Sequence, residues 1–420
     1  MPSEDSSIGG CHINRLPIEL LAAIFEEHSI LEPRAPFIDS QVCSRWRETT
    51  QNWPRVWSYI TMRLEAEHGM PIDRFKAIIE RSGDCPLHVN LEFSAIAMSS
   101  AKLLFQRPTI TRIQVLLLEG TLPDDIRVMG GLPNLRNLQL MNVYWGGTIK
   151  FLLGTKRFPL LDELVLHRME LLPRVALGSP VLLRTISFCY VENMEWVKIL
   201  AECRETLVEV FLSHCRLPPP AQIHLPNLKF LALSDMLNFR NDIVAPGLIT
   251  FHEHFEILTP LKLPFTLPLI TEYACRVYSP FVGDETLLAE RVFPNLERFV
   301  LWGTWLRIRE VLWELVSHPC AVPKLKTIEL ATHKGQDLSG DQWAELEKLV
   351  IHTPLSSVLK RRTDSRASYT RLRFSLVRSS SIIGIHILMP PLDTLGFHQS
   401  LNNNMFTLVT RLIQCTSRCH

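Results

Sequence analysis

What the chain lacks narrows its function before any motif is read. It has little net charge, formally +1, so no one-signed field draws it to nucleic acid or to an anionic membrane surface. It has no apolar run of about 18 residues, which predicts no membrane span. The opening MPSEDSSIGGCHINRLP has no basic head followed by an apolar run, and is read as carrying no secretory signal. No two of the ten cysteines stand in a Cys-x-x-Cys pair. Their wide spacing predicts reduced thiols and a cytoplasmic or nuclear setting rather than a disulfide framework. Cys415 and Cys419 are four apart and make a poor zinc half-site. There is no Gly-x-Ser-x-Gly elbow, phosphate loop or His-Glu-x-x-His. His252 and His254 flank Glu253 without a third ligand, and Asp124 and Asp125 form a bare acidic pair. The chain is therefore read as no enzyme, with no catalytic, cofactor-binding or metal residues.

What is present is a folding composition, 46% hydrophobic and 21% charged over 420 residues. That allows two or three ordinary domains, or one small domain joined to a repeat array. Residues 12–60 predict a small helical module. Pro17 can sit in the first turn of a helix, where its missing N–H costs nothing. Leu16, Leu20, Leu21, Ile24 and Phe25 follow at three- and four-residue steps, one apolar stripe. The segment LEPRAPF, with two prolines, predicts a connector. A second helix is expected from about Asp39 to Thr49, with Val42, Cys43 and Trp46 inward, and a short turn from Pro54 carries Val56, Trp57 and Ile60.

The ordered series Leu16-Pro17-x-Glu19-Leu20, Ile24-Phe25, Val42-Cys43-x-x-Trp46-Arg47 and Pro54-x-x-Trp57 resembles the F-box, in the variant of the large families of mushroom-type (basidiomycete) fungi. The resemblance covers residues 12–60. It implies that Leu16, Pro17, Leu20, Ile24, Phe25, Val42, Cys43 and Trp46 bind the adaptor subunit of an SCF-type ubiquitin ligase, and through it the cullin scaffold. No RING-type spacing is present, so any ligase activity is expected to be borrowed.

After residue 110 one phrase recurs. It reads Pro133-Asn-Leu-Arg-Asn-Leu-Gln-Leu140, then returns at Pro159–Leu166, Pro226–Leu233, Pro294–Leu301 and Pro323–Leu330, with weaker copies near Pro180, Leu207 and Pro246. Starts fall roughly 20 to 30 residues apart, the period of leucine-rich repeats. Alternate apolar positions suit a short strand, and stacked units share one core that none could form alone. The Asn that regular repeats carry after each strand is mostly missing: Met141-Asn142 follows one copy and His167-Arg168 the next.

The expected fold is thus α/β: an all-helical F-box (12–60), a linker helix and first strand (61–110), an irregular leucine-rich-repeat solenoid with its parallel sheet on the concave face (111–355), and a degenerate cap and tail (356–420). Convex helices are expected at 193–201 and 310–316, and an edge strand at 381–389. The basic run from Lys360 to Arg378 is read as a solvated stretch. The expected function is substrate recognition for the ligase. An unknown protein target would sit on Arg136, Asn137, Asp162, Glu163, Lys229, Glu297 and Lys326, exposed between the strand leucines. The alternative is a leucine-rich-repeat binding scaffold with no ligase connection.

Overall fold

The computed structural model describes residues 12–32, 34–64, 72–93, 106–121, 131–144, 157–169, 182–191, 195–215, 223–234, 243–255, 269–277, 293–317, 322–325 and 327–332. The described residues through Leu161 form one compact unit and those from Asp162 a second. The expected edge strand at 381–389, the cap, the basic run, Asp124, Asp125 and Lys326 lie outside the described residues.

The first unit opens with helices α1 (Ile18–Leu31), α2 (Ala35–Val42) and α3 (Ser44–Asn52). Pro17 is the N-cap of α1, one position before the first turn expected for it, and the buried stripe is Leu21, Ala22, Phe25, His28 and Ser29. Leu20 points away and is 54% exposed. The expected connector is shorter than LEPRAPF. Pro36 falls in the first turn of α2, where a proline removes no helical hydrogen bond. The expected single helix over 39–49 is two helices, because Cys43 is extended (φ −157°, ψ 172°). Inside the cluster, Phe25 meets Trp46 with ring centroids 4.9 Å apart, and Phe37 meets Trp57 edge-on at 5.1 Å. The Trp57 indole donates to the Thr50 carbonyl at 2.7 Å, satisfying a polar group that is fully buried. His28 Nδ1 lies 3.1 Å from both oxygens of Asp39, tying α1 to α2. Burial pushes the Asp39 carboxyl up, while the imidazole acts against that shift.

A 3-10 turn, Pro54–Trp57, touches α1, α3, helix α4 (Ile72–Arg81) and strand β1 (Tyr59–Leu64). The helices therefore continue directly into a parallel sheet of β1, β2 (Leu87–Phe93), β3 (Ile113–Thr121) and β4 (Asn137–Tyr144). Ile60, Val89, Leu116 and Leu138 stand in one inward row across all four strands. Arg112 pins the turn after α4. Its guanidinium donates to the Cys85 carbonyl (3.1 Å) and to Ser82 Oγ (2.6 Å).

The second unit carries β5 (Glu163–Met169), β6 (Thr185–Val191), helix α5 (Glu195–Cys203), β7 (Glu209–Ser213), β8 (Ile223–His224), β9 (Phe230–Ser234), β10 (Ile243–Val244), β11 (Thr250–Phe255), β12 (Glu272–Val277), β13 (Arg298–Gly303), helix α6 (Trp305–Ser317) and β14 (Thr327–Thr332). The order β5-β6-β7-β9-β11-β12-β13-β14 runs through one parallel sheet, one strand per coil. Two residues of each strand face inward. One row runs Leu164, Ile186, Val210, Leu231, Phe251, Tyr273 and Phe299; the next runs Leu166, Phe188, Leu212, Leu233, Glu253, Cys275 and Leu301. All are buried, and each fully buried aliphatic or aromatic side chain contributes about 1.5–3 kcal/mol.

A backbone ladder fixes the coil spacing. The carbonyl just before each strand accepts two amides from the next coil: Asp162 O from Arg184 N (2.8 Å) and Thr185 N (3.1 Å), then Arg184 O from Val208 N and Glu209 N, and onward through Val208, Lys229, Ile249 and Thr271.

The expected leucine-rich-repeat horseshoe, with strand and helix alternating around a concave sheet, is not the fold. The chain is a parallel β-solenoid with little intervening helix. Among the described residues of the second unit, α5 and α6 are the only helices between neighbouring strands of the main sheet. The wall that α5 begins continues as strands: α5 packs beside β8, and β8 pairs in parallel with β10. The recurring phrase specifies a turn followed by a strand with two inward side chains. It does not specify what carries the chain back, and that is where the expectation failed.

Candidate binding face

The outward side of the second unit's sheet carries its polar and aromatic chemistry. Strand alternation places Glu163, Thr185, Glu209, Phe230, Thr250, Glu272 and Arg298 in one outward row. Phe230 is the centre of a short aromatic run: its ring lies 4.8 Å from Phe211 on one side and 4.8 Å from the His252 imidazole on the other. His252 Nε2 is 3.6 Å from Glu272, and Arg298 reaches the same carboxylate oxygen at 2.9 Å. The imidazole first, and the guanidinium after it, hold the Glu272 carboxyl below its ordinary range against the opposing effect of burial. Glu209 goes the other way, because burial outweighs the neighbouring Arg184.

At the strand ends a second feature recurs. Two residues past the second inward position, the backbone turns left-handed at Asn142 (φ 50°) in the first unit, and at Arg168 (51°), Tyr190 (53°) and His214 (49°) in the second. Asn tolerates this region, but a bulky side chain pays about 1–2 kcal/mol to enter it. In the second unit these side chains form a column. Tyr190, on the middle strand, stacks on His214 with centroids 4.1 Å apart and planes 8° from parallel. The Arg168 guanidinium lies 5.5 Å from the Tyr190 centroid, and His167 meets the same ring edge-on at 5.9 Å. Tyr190 is 40% exposed.

The residues singled out for target binding are scattered. Arg136 and Lys229 are exposed at the ladder positions before their strands; Asp162, Glu163 and Glu297 are half-buried, and Asn137 is buried. Asp162 and Lys229 are three coils apart, about 14 Å at the usual strand spacing. The residues singled out for adaptor binding do not share one face. Pro17 and Leu20 are exposed, Leu16, Ile24, Val42 and Cys43 half-buried, and Phe25 and Trp46 are locked against each other in the core. Of the His252–Glu253–His254 triplet, His252 faces outward, while Glu253 is 2% exposed on the inward row and accepts a 2.5 Å hydrogen bond from the Tyr273 hydroxyl. Among the described residues, no three His, Cys, Asp or Glu side chains are grouped to hold a metal ion, and no helix is long and apolar enough to cross a membrane. The left-handed column was missed. In the sequence, Arg168, Tyr190 and His214 stand where the first unit carries Asn142.

No family model matches the chain, and no curated protein matches it. With the solenoid fold, this overturns the F-box and leucine-rich-repeat resemblance, its fungal setting, and the ubiquitin-ligase function drawn from it.

Proposed function

We propose that the chain is a non-enzymatic binding module that holds a protein partner on the outward sheet face of its second unit. The observation that carries this is the Arg168–Tyr190–His214 column. Three side chains occupy costly left-handed positions on consecutive strands and present stacked aromatic and cationic surface to solvent. Such strain persists where the surrounding structure over-determines it, and it concentrates at functional sites. Tyr and Arg are also the residues that dominate binding hot spots. The half-buried Phe230, His252 and Glu272 extend the same face. The setting we favour is the cytoplasm or nucleus. Cys43, Cys85, Cys189, Cys203, Cys215 and Cys275 are in no disulfide, and burial pushes Cys203 and Cys215 up to about 12, which leaves them unreactive.

The test is site-specific photo-crosslinking. A benzophenone side chain is placed at Tyr190 and, as a control in the same coil, at Leu182, which is 63% exposed. A protein adduct formed from Tyr190, absent from Leu182 and competed by unlabelled chain, is the expected result. Equal labelling from both positions, or none from Tyr190, would refute the reading.

A further inference from the structure

Resting on that reading, we infer that the strand-end column of β5–β7 recognises a carboxylate side chain on an extended, acidic segment of the partner. The argument begins with Arg168. It is exposed, it follows the last outward residue of its strand, and its described contact is the Tyr190 ring. No carboxylate lies within ion-pair distance of it among the described residues. A guanidinium resting on an aromatic face has lost much of its rotamer freedom, yet its N–H fork stays available, because cation–π contact uses the flat face and not the donors. That is the preorganised state in which Arg binds a planar, two-oxygen acceptor through paired hydrogen bonds.

The neighbouring groups fix the geometry. Tyr190 is held from its other side by His214, and His167 abuts its edge, so the ring cannot swing away without unstacking. The backbone positions at Arg168, Tyr190 and His214 share one left-handed geometry, which keeps the three side chains in step along the sheet edge.

Charge selects carboxylate over phosphate. The column carries one permanent cation, Arg168. A phosphate ester brings about −1.5 to −2 charges near neutral pH, which one guanidinium leaves undercompensated. A carboxylate brings one, and its two oxygens match the fork. The opposite ends of these strands carry Asp162, Glu163 and Glu209 against the single cation Arg184, an end that stays net acidic and disfavours an acidic segment laid along the strands. The segment must therefore cross at the strand ends.

The experiment uses the full chain and three fluorescein-labelled peptides read by anisotropy: alternating Glu and Ala, the same with Gln for Glu, and the same with phosphoserine for Glu. The Glu peptide should bind about tenfold tighter than the Gln peptide, the effect of one charge-assisted pair, and should weaken with salt. Arg168→Gln should abolish the difference, and Arg168→Lys should restore only part of it, since the ammonium lacks the fork. Both variants are at an exposed position, and an unchanged unfolding midpoint verifies their fold. Equal affinity for the Glu and Gln peptides, or a preference that survives Arg168→Gln, overturns the inference. So does a phosphoserine peptide that binds tighter than the Glu peptide in an Arg168-dependent way. A Tyr190 crosslink that forms equally well in Arg168→Gln leaves the binding face standing and removes only the carboxylate. Loss of the Tyr190 crosslink in the wild type removes the face itself.

Discussion

The most exacting prediction concerns Glu253 and Tyr273. Glu253 occupies an inward position that Leu233 and Leu301 fill in nearby coils, and the Tyr273 hydroxyl donates to it at 2.5 Å. Both side chains are buried, and Tyr273 lies within a stack of Phe251, Phe293 and Phe299. Tyr273→Phe keeps the ring and removes the donor, so it should cost about 2 kcal/mol, the usual loss for a hydrogen bond to a carboxylate. Glu253→Leu removes the acceptor and leaves a buried hydroxyl without it, costing about 1–3 kcal/mol. The double variant has neither group, and its Leu at 253 stands beside Leu233 and Cys275 in an otherwise apolar row. It should return close to wild-type stability or exceed it, because an apolar replacement of both partners is often neutral or better. At about 2–4 °C per kcal/mol for a unit of this size, Tyr273→Phe lowers the thermal midpoint by about 4–8 °C, Glu253→Leu by about 2–12 °C, and the double change by almost nothing. The assay is circular dichroism melting of the four proteins as a double-mutant cycle. A double variant that falls by the sum of the singles would mean the pair is not coupled, and the inward row would then need another explanation for its acid.

Three further outcomes follow from the same structure. His28→Leu strands the buried Asp39 carboxyl and should cost about 3 kcal/mol, read by urea unfolding; a loss below a fifth of that would show the pair to be dispensable. At position 190 the usual ranking reverses: Tyr190→Gly should be more stable than Tyr190→Ala by about 1 kcal/mol, since only glycine enters the left-handed region freely, and the ordinary order, Ala above Gly, would show that the turn relaxes. Glu272 has a depressed carboxyl, so its contribution to stability is complete above its ordinary value of 4.5 and is lost as the pH falls through the lower folded value. Glu272→Gln should therefore flatten the acid side of the stability profile, and an acid limb as steep as that of the wild type would show that Glu272 does not carry it.

The parts of the fold that were legible are those set by side-chain periodicity. Leu138 and Leu140, or Leu231 and Leu233, mark inward strand positions because alternate spacing can serve no other purpose there. Leu135 and Leu228, buried just ahead of the strands, complete the phrase. Two of the joins were legible, since the helices expected at 193–201 and 310–316 stand as α5 and α6; the rest were not, and the family resemblance supplied a wrong answer for them. Cys43 breaks a helix without a Gly or Pro to announce it. Glu253, flanked by two histidines, carries no sign of burial in the sequence; only the register of β11 against β9 and β12 turns it inward. The left-handed column was hidden for a related reason, since Arg, Tyr and His carry no conformational signature, and their conformation is imposed by the neighbouring coils.

The carbonyl ladder of the second unit has a consequence for how such a chain can change. The residues that own those carbonyls are Asp162, Arg184, Val208, Lys229, Ile249 and Thr271, a set with no shared chemistry, because a backbone oxygen is the same in all of them. Junctions between coils are thus written in a currency that ignores sequence, and proline is the one residue barred from the two donor positions that follow. A duplicated or deleted coil would meet its new neighbours with every amide still matched. The length of this unit can drift over generations by whole coils, while the outward side chains diverge independently from one coil to the next.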